Sequence, residues 1–391
     1  MVLRTSIIFA TTCHAADQPR GSYFLTSFSR GEYRIIAAPR EAGWKALKGM
    51  ELAGYAEIQT QASPPATPMD RLVALLRPEL ADVERLLVER AASPVATIPD
   101  LSSYLIAAGG KRLRPVLTLA AARAVGGRGG EAVCKLAAAV EFIHTATLLH
   151  DDVVDDSDLR RGKAAAKNVW GASASILVGD FLFARSFTLM TETRDLRILD
   201  ILSRASCVIA EGEVRQLAAL GKVDLAFNEY MAIVEAKTAA LFEAASRAGA
   251  YTATNDDAVA DAMGEYGRRL GRAFQIVDDL LDYGGLTSVI GKAVGDDFRE
   301  GKLTLPVLYA REAADAADRK FWDRVMGERT QTESDLAHAI HLIRSSGAAE
   351  RTLETARVEA AAAQAALARA ARGAFHDELA ELANHCVDRA F

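Results

Sequence analysis

The sequence lacks a basic excess, since its 391 residues carry a formal net charge of −6 at pH 7. Domains that bind nucleic acid usually have the opposite balance, which argues against that class of partner. Cysteine is also scarce, and the four residues Cys13, Cys134, Cys207 and Cys386 form no C-x-x-C pair. This usage indicates a reduced, intracellular setting in which the cysteines serve as small apolar side chains.

Long apolar runs and prolines are absent from most of the chain. No uninterrupted apolar run reaches the ~18 residues of a membrane-spanning helix. Proline is missing between Pro115 and Pro306 and again after Pro306. Because proline breaks helix interiors, its absence permits long helices, and apolar residues recur there at three- and four-residue spacing, as in residues 131–144. We therefore predict an all-α fold, a single large helical bundle from about Asp70 to the C-terminus.

Residues 1–68 differ in composition from the rest of the chain. They end in the Pro-rich segment 62–69, which is typical of a linker. The first forty residues hold five arginines but only Asp17 and Glu32 as acids, a bias that also marks transit peptides. We predict a disordered N-terminal extension over 1–68 and one large domain at 69–391. A transit segment, which would imply an organelle, and a start codon placed too far upstream are alternatives.

A first acidic cluster, H-D-D-V-V-D-D-S-D-L-R-R-G at residues 150–162, follows an apolar helix. Asp151 and Asp155 lie one helical turn apart on one face. Two such carboxylates repel each other unless a cation lies between them, and Mg²⁺ takes one or two carboxylates together with substrate phosphates. Arg160 and Arg161 follow, and a pair of guanidinium groups suits a diphosphate. A solvated acidic helix end would give the same pattern, so this cluster alone leaves both interpretations open.

The D-D-x-x-D pattern recurs after a second apolar helix, in F-Q-I-V-D-D-L-L-D-Y at residues 274–283. Asp278 and Asp282 again share a helix face. Lys292 and Lys302 follow and can close over phosphate oxygens. If both clusters line one cavity, they can hold several Mg²⁺ ions on one diphosphate. Those ions would stabilise the charge that develops when a carbon–oxygen bond breaks.

A basic loop, G-G-K-R-L-R-P at residues 109–115, precedes a helix that we predict to start at Val116. Glycines let the backbone approach a phosphate, and a helix N-terminus favours an anion. Alone, a basic turn before a helix is more often just solvated. Beside the two acidic clusters, the charges of Lys111 and Arg114 make this loop the expected second diphosphate site. His144 lies two turns before the first acidic cluster and roughly on its face, so we expect it to contact substrate.

These motifs, with K-T at 237–238 and G-D-D-F-R-E-G-K at 295–302, resemble those of the trans-polyprenyl diphosphate synthases. The similarity is greatest to bacterial long-chain members that make the ubiquinone side chain, and it covers residues 69–391. It implies an isoprenoid-synthase bundle with a central cavity, usually a homodimer. It also implies the bacterial cytoplasm as location, with peripheral membrane contact when the product is released.

The resemblance also implies roles for individual residues. The Mg²⁺ ions and the allylic diphosphate would be held by Asp151, Asp152, Asp155, Asp278, Asp279 and Asp282. Further contacts to the allylic diphosphate would come from Arg160, Lys237, Thr238, Gln275, Lys292 and Lys302. Isopentenyl diphosphate would be held by Lys111, Arg114, His144 and Arg161.

The implied reaction lengthens an allylic diphosphate with isopentenyl diphosphate. The diphosphate leaves to give an allylic cation, the double bond of isopentenyl diphosphate attacks it, and a proton is lost to the departing diphosphate. Ala146 and Thr147 lie one turn before Asp151 and would floor the cavity near the reacting end. Because short-chain relatives tend to carry aromatic rings there, these small residues predict a product of about eight to ten isoprene units.

Three alternatives remain open. A short-chain synthase would use the same chemistry and stop at farnesyl or geranylgeranyl diphosphate. A class I terpene cyclase shares the first motif, but it usually replaces the second by Asn, Ser and Glu ligands and lacks the basic loop. A non-catalytic partner subunit typically loses one or both acidic motifs, whereas this chain has both.

Overall fold

The computed structural model describes most of the chain beyond residue 65. The described residues are 23–28, 32–37, 66–107, 112–160, 162–284, 295–370 and 372–389. Three predicted site residues, Lys111, Arg161 and Lys292, lie outside these ranges. The chain divides between Pro64 and Pro65 into two units.

The first unit contains an antiparallel hairpin of β1 (Tyr23–Phe28) and β2 (Glu32–Ala37). Tyr23 is opposite Ala37, and Phe28 is opposite Glu32. The disordered extension over 1–68 stays a prediction.

The second unit is almost entirely helical, which confirms the predicted fold class. Its α-helices are α1 (Pro68–Leu75), α2 (Arg77–Ala91), α3 (Thr97–Ala107), α4 (Leu113–Ala124), α5 (Glu131–Val154), α6 (Ala166–Trp170), α7 (Ala172–Glu192), α8 (Leu196–Ala219), α9 (Phe227–Val234), α10 (Ala240–Tyr251), α11 (Asp257–Leu281), α12 (Asp296–Glu300), α13 (Leu305–Ala313), α14 (Ala316–Trp322), α15 (Asp335–Ser345), α16 (Ala348–Ala370) and α17 (Ala374–Asp388). Two π-helical turns follow α9 and α14, at Glu235–Ala239 and Asp323–Gly327. The two-residue strands β3 (Leu159–Arg160) and β4 (Lys163–Ala164) form a short hairpin after α5.

Two helix starts differ from their predicted positions. Helix α1 begins at Pro68, because the Thr67 side chain accepts from the Asp70 backbone N–H and the Asp70 carboxylate accepts from that of Thr67. Helix α4 begins at Leu113 and not at Val116. Pro115 is tolerated inside its first turn, where backbone N–H groups have no partner within the helix.

The core of the second unit is built from six helices that pack against one another. Helix α11 packs along α10 and α16, α10 packs against α4, and α5 packs along α7. Small residues let these helices approach closely, since residues 136–140 of α5 are all fully buried and four of α10's alanines are nearly so. Both acidic clusters lie at the C-terminal ends of core helices, α5 and α11. Packing in the bundle therefore fixes the positions of α5 and α11, the two helices that end in the acidic motifs.

By length and composition alone, α5 and α7 are apolar enough to span a membrane. The sequence criterion of an uninterrupted run missed them, because Lys135 and Glu141 interrupt α5 and Asp180 and Arg185 interrupt α7. The most apolar stretch of α5 is 72% buried inside the bundle, as expected for a core helix. The corresponding stretch of α7 is only 39% buried, so α7 keeps an exposed apolar face.

Candidate active site

The first acidic cluster occupies the last turn of α5. Helix α5 ends at Val154, and the Asp155 backbone N–H donates to the Asp151 carbonyl at 2.8 Å. Asp152 is fully buried, and its Oδ1 accepts a hydrogen bond from Arg160 Nε at 2.8 Å. Its Oδ2 is buried without a hydrogen-bond partner in the described part of the chain. Asp151 and Asp155 are less buried than Asp152, in keeping with their different helix face.

The second cluster occupies the last turn of α11 in the same way. Asp282 follows the final helical residue, and the backbone N–H groups of Asp296 and Asp297 donate to its carboxylate at 3.1 and 3.0 Å. Asp279 is buried, like Asp152 in the first cluster. Asp278 is more exposed. The start of α12 is thus hydrogen-bonded to the last aspartate of the second motif.

Lys302 contacts the first acidic cluster and lines a cavity. Its Nζ donates to Asp155 Oδ2 at 2.8 Å and also pairs with Glu300. The same lysine lines a cavity of about 80 Å³ together with Lys237, Gln275 and Asp279. Lys302 therefore contacts Asp155 at the end of α5 and shares a cavity wall with Asp279 of α11. That both acidic clusters line one cavity stays a prediction.

The π-helical turn Glu235–Ala239 carries two predicted residues, of which Lys237 lines this cavity. Lys237 Nζ donates to Glu213 Oε2 at 3.2 Å. The Thr238 hydroxyl donates to Gln275 Oε1 at 2.6 Å. Such turns often occur at functional sites, because the extra residue redirects side chains. The structure thus brings Lys237, Thr238 and Gln275 together.

Glycines allow the neighbouring helices to approach this turn. A Cβ on Gly212 of α8 would lie 2.5 Å from Ala236 Cβ, and one on Gly271 of α11 would lie 2.7 Å from Ala239 Cα. Real Cβ atoms do not come so close to other heavy atoms, so a side chain at either position would push the turn away. The position of Lys237 thus depends on glycines from two other helices.

Burial shifts the pKa values of several aspartates in and near the cavity. Burial raises the pKa of Asp151 to about 6, although nearby Lys237 lowers it. Burial raises the pKa of Asp279 to about 7 and that of Asp297 well above its ordinary value. Burial would lower the pKa of Lys302, but the carboxylates beside it outweigh this and hold it above its ordinary value. Bound cations would favour the charged carboxylates.

These carboxylates fit a metal that is shared with a diphosphate. Within the described ranges, no three acidic, His or Cys side chains converge to enclose a metal by themselves. Mg²⁺ usually needs only one or two carboxylates, because water and phosphate oxygens complete its coordination. The donor set, made of hard carboxylate oxygens, suits such an ion. The ligand roles of the six aspartates stay predictions.

A second cavity, of about 250 Å³, is also lined by residues of α11, Leu270 and Phe274, and is basic. Arg114 Nη1 lies 3.1 Å from His144 Nε2, and the Arg114 guanidinium lies over the Phe242 ring. Arg112 also lines this cavity, but it pairs with Glu84 and Glu141 at 2.7 and 2.8 Å. The structure therefore joins Arg114 to His144, as predicted for an isopentenyl diphosphate site.

Arg389, which sequence reasoning missed, also lines the basic cavity. Its Nη2 donates to Asp278 Oδ1 at 3.3 Å, and its guanidinium lies 4.4 Å from the centre of the Phe274 ring. Arg389 follows α17 near the C-terminus, so no spacing along the chain links it to either motif. Glu213 and Tyr230 were missed for the same reason, whereas Asp297 lies inside the quoted segment 295–302 and could have been found.

The predicted floor residues lie in the turn before the first cluster. Ala146 is buried, and Thr147 is half-buried with its hydroxyl donating to the His144 carbonyl at 2.8 Å. Both positions therefore carry small side chains inside the bundle. Their role in setting product length stays a prediction.

Residues 95–343 match the sequence model of the polyprenyl synthetase family. The chain belongs to this family. Among polyprenyl synthetases, it is 41% identical to octaprenyl diphosphate synthase of Escherichia coli (strain K12) over 321 residues. That match covers 82% of this chain and 99% of the relative.

Solved structures of polyprenyl synthetases agree with this result. A decaprenyl diphosphate synthase from Rhodobacter capsulatus is 49% identical with a TM-score of 0.80, over 83% of this chain and all of that one. A polyprenyl synthase from Caulobacter crescentus CB15, complexed with calcium and isoprenyl diphosphate, is 52% identical with a TM-score of 0.80, over 84% and 100%. The family resemblance and the trans-prenyltransferase class predicted from the motifs are confirmed.

Proposed function

We propose that this protein condenses isopentenyl diphosphate with an allylic diphosphate, in the presence of Mg²⁺, to make a long-chain all-trans polyprenyl diphosphate. The observation that carries the proposal is the position of Lys302, which contacts Asp155 of the first acidic cluster and lines one cavity with Asp279 of the second. The basic cavity supplies the second diphosphate site that such a reaction needs. The similar octaprenyl and decaprenyl diphosphate synthases support a long product.

The residues of the two cavities would bind different substrates. Mg²⁺, when bound, would neutralise the diphosphate and so favour its departure. Lys237 and Lys302 are placed to bind phosphate oxygens of the allylic substrate, since both line the acidic cavity. Arg114 and His144 are placed to hold the diphosphate of isopentenyl diphosphate in the basic cavity. Holding the two substrates side by side makes the carbon–carbon bond formation effectively unimolecular.

The test is a product analysis of the purified full chain. The protein is incubated with farnesyl diphosphate, labelled isopentenyl diphosphate and Mg²⁺, and the dephosphorylated products are resolved by length. We expect a ladder that ends at about eight to ten isoprene units, the lengths named for its relatives. A product of farnesyl or geranylgeranyl length would refute the long-chain assignment and keep the chemistry. Cyclised products would favour a terpene cyclase, and no incorporation would favour a non-catalytic partner subunit.

We further propose a homodimer that is formed through α7. Ile176 and Leu177 project an apolar face from this helix, and Leu177 is 66% exposed. Val214 and Leu217 of α8 are exposed as well. A second copy of the chain would bury these side chains from water. Light scattering should give the mass of a dimer for the wild type and of a monomer for Leu177→Glu; a monomeric wild type would exclude the proposal.

We also propose that the enzyme works in the bacterial cytoplasm, contacts the membrane at product release and supplies the ubiquinone side chain. The bacterial relatives support this location. Cys134, Cys207 and Cys386 are free cysteines, which suits a reducing compartment. Cell fractionation should recover the protein in the cytosol with a minor membrane-associated part, and deletion of the gene should remove ubiquinone. A wholly secreted protein would contradict the location.

A further inference from the structure

The Tyr230 hydroxyl is hydrogen-bonded to one carboxylate of the second acidic cluster. Tyr230 lies in α9 and is 3% exposed. Its Oη donates a hydrogen bond to Asp279 Oδ2 at 2.7 Å, and both partners are buried. A buried tyrosine hydroxyl needs a hydrogen-bond partner, and here the partner is a residue of the D-D-x-x-D motif.

The other oxygen of the same carboxylate is also bound by the protein. Gln275 Nε2 donates to Asp279 Oδ1 at 2.7 Å. The Gln275 carbonyl oxygen in turn accepts from the Thr238 hydroxyl at 2.6 Å. A chain of neutral donors thus runs from Thr238 through Gln275 to Asp279, and Tyr230 closes it from the opposite side.

The corresponding residue of the first cluster is held differently. Asp152, also the second aspartate of its motif, accepts from the guanidinium of Arg160. That pair carries its own compensating charge. Among the described side chains, Asp279 accepts hydrogen bonds from the neutral donors Tyr230 and Gln275, so the geometry of these two donors decides where the carboxylate points. A change that removes one donor should therefore matter more here.

Asp279 also lies where a small displacement would affect its neighbours. It is part of the last turn of α11, between Asp278 and Asp282. Helix ends fray more readily than helix interiors, because their last carbonyls have no partner within the helix. A hydrogen bond from α9 ties this terminal turn to a different element of the bundle.

We propose that Tyr230 is a positioning residue whose hydroxyl holds Asp279, and with it the end of α11, in the arrangement that binds metal and diphosphate. The inference rests on the proposed function, because it assumes that the second cluster binds a divalent metal. Residues that hydrogen-bond to metal ligands without contacting the metal orient those ligands. Replacing such a residue typically weakens metal affinity about 10- to 100-fold.

The chain offers a matched control in Tyr266. This tyrosine is also fully buried, and it lies on α11, the helix that carries the second cluster. Its hydroxyl donates to the Leu379 carbonyl at 2.8 Å. Tyr266→Phe therefore removes a buried hydroxyl of the same kind that does not bind an aspartate of the motif. Tyr230→Phe removes the one that does.

The experiment measures metal binding separately from turnover. Mg²⁺ is titrated by calorimetry into the full-length wild type, Tyr230→Phe and Tyr266→Phe, each saturated with inorganic diphosphate. We expect the Mg²⁺ dissociation constant to rise about tenfold or more in Tyr230→Phe and to stay within about twofold in Tyr266→Phe. In the prenyl transfer assay, the Mg²⁺ concentration for half-maximal rate should rise likewise, with the KM for isopentenyl diphosphate unchanged. Thermal unfolding in EDTA checks that each variant is folded.

The outcomes separate this inference from the proposed function. Normal metal binding by Tyr230→Phe would overturn the inference alone, as would an equal loss in both variants, which would indicate a general loosening of the core. A wild type that binds no Mg²⁺ with diphosphate would overturn the proposed metal site and the inference together.

Discussion

Lys302 Nζ lies 2.8 Å from Asp155 Oδ2, although 147 positions separate the two residues along the chain. The contact joins the segment after the second acidic cluster to the last aspartate of the first. In the absence of a divalent cation, the ammonium group offsets part of the charge of the carboxylates. If a diphosphate binds between the clusters, as we propose, the same ammonium group would be placed to bind its oxygens.

Replacing Lys302 should therefore weaken the use of the allylic substrate. We expect Lys302→Gln to lower kcat/KM for farnesyl diphosphate about 10- to 100-fold, because a hydrogen bond to a charged group contributes about 1.5–3 kcal/mol. Lys167→Gln is the control, since Lys167 pairs with Asp156, next to Asp155 but outside the motif. Steady-state kinetics compare the two, and an equal loss in both would contradict a specific role for Lys302.

The aspartates at the two ends of each motif should be required for turnover. We expect Asp155→Asn and Asp278→Asn each to lower kcat about a hundredfold or more, since each would remove a carboxylate that we propose holds Mg²⁺ at the diphosphate. Asp156→Asn should stay near wild-type rates, because that side chain is 95% exposed and lies outside the motif. Single-turnover rates at saturating Mg²⁺ measure the effect. Activity in Asp278→Asn close to that of Asp156→Asn would exclude a role for the second cluster.

Arg389 should affect the second substrate. We expect Arg389→Ala to raise the KM for isopentenyl diphosphate about tenfold or more, because the residue lines the basic cavity and contributes a charged donor there. Arg369→Ala on the exposed end of α16 is the control for lost surface charge. Initial rates at varied isopentenyl diphosphate give the comparison. An unchanged KM in Arg389→Ala would show that the arginine serves only its contacts with Asp278 and Phe274.

A large side chain at Ala146 should shorten the product. We expect Ala146→Phe to shift the longest product towards fewer isoprene units, because the ring would fill the turn that precedes the first acidic cluster. Overpacking at this buried site should also cost about 1–3 kcal/mol of stability. Ala132→Phe, at the exposed start of the same helix, controls for the added ring. Products are resolved by length, and an unaltered ladder from Ala146→Phe would place the floor elsewhere.

The stability of the metal-free protein should depend on the buried carboxyls. Asp151 and Asp279 have pKa values of about 6 and about 7, against an ordinary value of 3.8, so they hold protons more tightly in the folded chain. Their contribution to the free energy of unfolding therefore falls as the pH rises from about 4 to about 7. In EDTA, the thermal midpoint of Asp279→Asn should fall less over this range than that of the wild type.

Thermal unfolding is also measured with Mg²⁺ and inorganic diphosphate present. Mg²⁺ with inorganic diphosphate should raise the midpoint of the wild type most at the upper end of the range, where the carboxyls are ionised. Asp156→Asn should follow the wild type, because its exposed side chain is not desolvated. Parallel pH profiles for wild type and Asp279→Asn would contradict the burial of a charge at this position.

Local sequence rules accounted for the helices and for much of each acidic cluster. The four-residue spacing in D-D-x-x-D places Asp151 with Asp155, and Asp278 with Asp282, because an α-helix turns once in 3.6 residues. The same rule turns the second aspartate of each motif to another face, where Asp152 and Asp279 are buried. Helix starts were less well predicted, since capping at Thr67 and the left-handed Arg112 backbone decide them.

The sequence by itself determined the fold class, the family and the residue types of the site, because periodicity and short motifs depend only on neighbours along the chain. Only the tertiary structure decided which partners these residues have. Lys302 lies beside Asp155, Arg389 beside Asp278 and Tyr230 beside Asp279. Those pairs are 147, 111 and 49 positions apart, and the packing of whole helices brings them together. Helical period carries no information over such separations, so the charge balance of the cavity emerges only when the bundle forms.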